Sequence, residues 1–136
     1  MITFKYNTPV GEERRVEVRR LAALLYHHLE LQYPVKVIFA PSALMDYEGC
    51  AASFIDYMWE RRDGRLVIGR LSKPHHRIEI KNKRDFNVLV EVLAHEFRHL
   101  YQDEYKVHNA TKAEQEADAR EYASTFVEAY KQRRQS

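Results

Sequence analysis

Residues 88–101, VLVEVLAHEFRHLY, constrain this chain more than any other stretch. His95, Glu96 and His99 form an HExxH pattern inside a segment where Phe86, Leu89, Val90, Leu93, Phe97 and Leu100 recur at spacings of three and four. That is the period of a helix with one buried stripe. Residues four apart lie one turn above each other on the same face, so the two imidazoles can share one metal ion with Glu96 beside them. The histidines project roughly opposite the stripe, and Val88 and Val92 make their side partly apolar as well. The pattern predicts a helix covered on most of its circumference, with two histidines facing a cleft. The same string on a freely exposed helix would lack this phasing.

Catalytic zinc usually takes three protein ligands and keeps one position open, so a third donor is expected downstream. A ligand six residues beyond His99, reached through a glycine at 102, is not available, because Gln102 and Tyr105 stand there. His108 falls in the connection that follows. The acidic candidates Glu114, Glu116 and Asp118 lie on a second predicted helix over 111–134, opened by a capping box at Thr111-Lys112-Ala113-Glu114. Helical phase separates them. Glu114, Asp118, Glu121, Thr125, Glu128 and Gln132 form a polar strip of the kind that faces solvent. Glu116 shares its side with Ala119, Ala123, Val127 and Tyr130, flanked by Tyr122 and Phe126. A carboxylate pointing inward there needs a partner, since an unpaired buried charge is strongly disfavoured. Glu116 is therefore the expected third ligand and Glu114 its main rival.

Taken with the Glu116-Ala117-Asp118-Ala119-Arg120-Glu121-Tyr122-Ala123 segment, the HEFRH string resembles the gluzincin-type metallopeptidases, especially the compact minigluzincins and the ImmA/IrrE-type peptidases. Glu116, Ala119, Tyr122 and Ala123 match their glutamate-helix pattern. Arg120 departs from it, standing where an Asn or Asp usually supports a ligand histidine. The resemblance covers about residues 75–130. It implies an α+β, zincin-like single domain over 1–136, with an N-terminal helix, a small mostly antiparallel or mixed sheet, an active-site helix and a glutamate helix. It further implies a zinc-dependent peptidase with metal ligands His95, His99 and Glu116, Glu96 as general base, and a peptide or protein as substrate. His108, Arg120 and Tyr122 are the candidates for stabilising the tetrahedral oxyanion. The alternative is a zinc-binding regulatory or protein-interaction domain with little or no turnover.

Composition narrows the setting. A formal net charge of +2 is too small to argue for nucleic acid. The basic runs at Arg14, Arg15, Arg19 and Arg20 and at Lys131, Arg133 and Arg134 are interleaved with acids or followed by polar residues, so they read as solvated faces. Cys50 is the single cysteine, which excludes an intrachain disulfide and a cysteine-based zinc site. No apolar run of membrane-spanning length and no signal core occurs, so no membrane partner is expected and the cytoplasm is the expected location. No feature bears on oligomeric state.

Elsewhere, a short strand is possible at 1–6. A long helix is expected from Glu12 to about Tyr33, ended by Pro34, with Val18, Leu21, Leu24, Leu25, Leu29 and Leu31 as its apolar side. His27 and His28 on it read as surface or packing residues. Val35–Ala40 reads as a strand, and a hairpin is expected through residues 50–69 around Arg62-Asp63-Gly64. Residues 75–81 alternate cleanly as a strand, with His75 and His76 read as surface residues beside a proline turn and Asp85 as cap of the following helix. Because that strand runs directly into the HExxH helix, Arg77–Lys81 is expected to be the sheet edge that receives an extended peptide.

Overall fold

A computed structural model describes residues 1–41, 47–55, 57–70, 74–105 and 110–135, with backbone only for 57–62, 65–70 and 135. The elements run β1 (Ile2–Tyr6), α1 (Glu12–His28), β2 (Val35–Ala40), β3 (Gly49–Phe54), β4 (Tyr57–Arg62), β5 (Arg65–Arg70), β6 (His75–Lys81), α2 (Phe86–Tyr105) and α3 (Lys112–Gln135). Among the described residues the fold is α+β, with three helices and a four-stranded mixed sheet of order β1-β2-β6-β3. β1, β2 and β6 are parallel and β3 is antiparallel to β6. Among the described residues, no helix is long and apolar enough to cross a membrane.

One sheet face meets the helices. Val35, Val37 and Phe39 of β2 and Ile78 and Ile80 of β6 share a core with Val18, Leu21 and Leu25 of α1 and with Leu89, Val90, Leu93, Phe97 and Leu100 of α2. Ala123, Val127 and Tyr130 of α3 close it. Lys36, Cys50 and Arg77 point the other way and are exposed. The period-3.6 stripe of α2 is the buried one, and Asp85 caps the helix by accepting the Asn87 N–H at 2.9 Å.

Three expectations need correction. Arg77–Lys81 is not an edge: β6 is paired by β2 on one side and β3 on the other, which rules out peptide addition there. Among the described residues, the open edge nearest α2 is β3. The His76 N–H donates to the Pro34 carbonyl, and the Lys81 N–H to the Glu48 carbonyl. Backbone groups of His76, Ile78 and Ile80 therefore face β2, and their antiparallel partners Ser53, Ala51 and Gly49 turn N–H and C=O outward, away from β6.

α1 stops at His28 rather than near Tyr33. Leu29 caps it, Glu30 takes a left-handed φ of 53°, the Glu30 N–H donates to the His27 carbonyl and the Leu31 N–H to the Tyr26 carbonyl. This is a Schellman ending without the glycine that would have announced it. Leu24, on the expected apolar side, is exposed. Finally, the apolar run after Cys50 divides into β3 and β4, which belong to different sheets; β4 and β5 form a separate hairpin turning at Asp63 and Gly64, both at positive φ.

Candidate metal centre

α2 and α3 pack side by side, and their phases bring three side chains together. His95 Nε2 lies 3.0 Å from Glu116 Oε1, His99 Nε2 lies 2.8 Å from Glu116 Oε2, and the two Nε2 atoms are 3.1 Å apart. Among the described residues, this group could hold a metal ion. Glu116 shares its side with Ala119 and Ala123, both buried, and these small side chains let the helices approach closely. Glu114 is exposed and committed elsewhere: its Oε1 accepts the Thr111 N–H, and its own N–H donates to Thr111 Oγ1, each at 3.1 Å. The expected capping box is formed, and Glu114 points away from the histidines.

The donor set itself suits a cation. Two imidazole nitrogens and a carboxylate bring lone pairs to one point, an arrangement that is repulsive unless a positive charge or protons lie between them. Tetrahedral zinc at about 2.0–2.2 Å from N and O sets donors about 3.3 Å apart, so a few tenths of an ångström of outward movement would admit it. Burial pushes the Glu116 carboxyl up, but the two imidazoles more than reverse this and hold it below the usual carboxylate range.

Glu96 differs in kind. Only 8% of it is exposed. Burial pushes its carboxyl up to about 7, with the neighbouring Glu116 carboxylate adding to the rise and His99 opposing it. The wall over it is the β3 backbone. A Cβ on Gly49 would lie 2.7 Å from Val92 Cγ1 and 3.1 Å from Glu96 Cγ, so only glycine lets this strand approach the helix here.

Around the cluster, His99 Nδ1 is 2.8 Å from Gln102 Oε1, and Gln102 Nε2 donates to the Gln115 carbonyl and to Asp118 Oδ2. Arg98 Nε donates to Asp118 Oδ2 at 2.8 Å. Asp118 is thus tied into the site rather than left on a purely solvated strip. Arg98 and Gln102 hold its carboxyl down, more than offsetting burial.

Of the oxyanion candidates, Arg120 is exposed, Tyr122 OH lies 2.8 Å from His28 Nδ1, and His108 lies outside the described residues. His76, expected at the surface, is fully buried. Its Nε2 is 2.9 Å from Glu104 Oε1 and its Nδ1 is 2.8 Å from Ser53 Oγ. Glu104 also accepts the backbone N–H groups of Gln32 and Tyr33. The signal was present, since His76 has the same parity as Ile78 and Ile80. A groove of about 510 Å³ between α1 and α3, lined by Leu21, Leu24, Phe126 and Tyr130, lies ten or more residues along α3 from Glu116 and contains none of the cluster. Searches against family models, curated proteins and solved structures found no match for this chain.

Proposed function

We propose that this protein is a zinc-dependent metallopeptidase of gluzincin type on a zincin-like domain spanning residues 1–136, acting on peptide or protein substrates. The observation that carries the reading is the convergence of His95, His99 and Glu116 beside a buried carboxyl, Glu96, that is not needed to complete the donor set. His95, His99 and Glu116 would hold the ion, leaving one position open. When bound there, zinc supplies the Lewis acidity that amide hydrolysis requires.

The remaining steps belong to the chain. Glu96, with a carboxyl poised near neutral pH, takes a proton from the attacking water and delivers it to the departing amine nitrogen. The outward N–H and C=O groups of Gly49, Ala51 and Ser53 hold an extended peptide along β3, next to Glu96.

Purified protein is expected to carry about one zinc per chain, and His99→Ala to lose it, because two protein ligands leave too weak a site. Glu96→Ala is expected to keep zinc and fold while abolishing cleavage of a denatured protein substrate. Full zinc occupancy in His99→Ala would defeat the ligand assignment. Zinc binding without turnover in the parent protein would favour the regulatory-domain alternative.

A further inference from the structure

Gln102 is 3% exposed, and its amide can be oriented in only one way. A carboxamide carries two donors on nitrogen and an acceptor on oxygen. Nε2 lies 2.8 Å from the Gln115 carbonyl and 2.9 Å from Asp118 Oδ2, both acceptors, so reversing the amide would set oxygen against oxygen twice. Asp118 is fixed in turn by Arg98, whose Nε and Nη2 donate to it at 2.8 and 3.3 Å. The Arg98 guanidinium is itself held 4.4 Å from the Tyr101 ring centroid and 4.9 Å from that of Tyr122. Gln102 Oε1 is therefore an acceptor, and His99 Nδ1, 2.8 Å away, must carry the hydrogen. A neutral imidazole has only one, so Nε2 of His99 is left as the lone pair.

We propose that Gln102 is a positioning residue: it presets neutral His99 as the Nδ1–H tautomer and so keeps its Nε2 lone pair directed at the point between Glu116 and His95 that an ion would take, with Asp118 and Arg98 setting the direction of the amide. This rests on the reading of His95, His99 and Glu116 as a metal site. Arg120, which departs from the resembling pattern where an Asn or Asp usually supports a ligand histidine, is exposed. Instead, support reaches His99 from its own helix, one turn on, and α3 contributes through Asp118.

Two measurements test this. In metal-free protein held at a pH where imidazoles are neutral, long-range proton–nitrogen NMR should show His99 as a single Nδ1–H tautomer. In Gln102→Leu it should become a mixture or turn to Nε2–H. Competition with a chromophoric chelator should show zinc binding weakened about 10–100-fold in Gln102→Leu. Should Gln102→Leu fail to fold, Asp118→Ala, at a half-exposed position, should shift the tautomer in the same direction. An Nε2–H or mixed His99 in the parent, or unchanged tautomer and affinity in Gln102→Leu, would overturn the proposal. If the parent binds no zinc, the metal-site reading falls, and the tautomer measurement still decides the role of Gln102.

Discussion

Glu96 sits where an ionised carboxyl is disfavoured, and that has a measurable consequence in metal-free protein. Its folded pKa of about 7 lies above the ordinary value of 4.5, so between these values the folded state keeps a proton that the unfolded chain has lost. Stability is highest below the lower value and falls as pH rises through the higher one, by about 3 kcal/mol at most. Glu96→Gln keeps the shape without the charge. Urea unfolding in chelator should show it more stable than the parent at pH 8, with the gap closing toward pH 4.5; a constant gap would contradict the buried-carboxyl account. The two glutamates at the start of α3 separate as cleanly. Glu116→Gln should weaken zinc binding by orders of magnitude, whereas Glu114→Gln should leave affinity intact and lower stability by only about 1 kcal/mol through the cap. Metal titration of both variants gives the order, and the reverse order would mean that Glu116 is not the ligand.

Among the elements, β3 sets how closely the sheet approaches Glu96 and carries the outward backbone groups proposed to receive substrate. Ala51 turns its N–H outward, so Ala51→Pro leaves the β3–β6 ladder in place while removing a donor from the free edge. Peptide cleavage should fall at least about tenfold with zinc content unchanged; equal activity would show that substrate does not lie on this strand. Gly49→Ala should cost about 1–3 kcal/mol through the clash with Val92, and Val92→Ala should recover most of it in thermal melts. Much of this architecture was legible in the sequence wherever local chemistry decides it. The α2 stripe, the Thr111–Glu114 box, the Asp63-Gly64 turn and the phase that turns Glu116 toward the α2 histidines each rest on residues within a few positions of one another; Glu116 itself is not buried, its side chain being 40% exposed. The edge was not legible. Alternation in Arg77–Lys81 reports which sheet face is buried, whereas edge status depends on in-plane neighbours brought from residues 35–40 and 49–54, to which a period of two is blind. The end of α1 was hidden for a simpler reason: Glu30 takes the left-handed position that glycine usually marks.

Across the whole molecule, α2 serves two ends. Its middle turns carry His95, Glu96 and His99, while its last turn locks the sheet through Glu104, which gathers His76, Gln32 and Tyr33 from a strand and a loop. Glu104→Ala would strip the carboxylate from the fully buried His76 and from the part-buried Tyr33 N–H, leaving only the Gln32 N–H able to turn to water, and should destabilise the fold by about 3–5 kcal/mol. A loss below about 1 kcal/mol in denaturant unfolding would show that water replaces the carboxylate. The lock and the proposed metal site are built from very different lengths of chain. The sheet must bring residues 2–6 beside 35–40, and those beside 75–81, whereas all three proposed metal donors lie between residues 95 and 116. Closing that short loop loses little chain entropy, so an ion can clamp the α2–α3 hairpin while the strands are still searching for partners. Zinc present from the start of refolding should therefore raise the folding rate, the mark of contacts already made in the transition state. Stopped-flow refolding with and without zinc would show it, and an effect confined to the unfolding rate would place the hairpin late. On this account the ion acts as a folding nucleus before there is a cleft for it to serve.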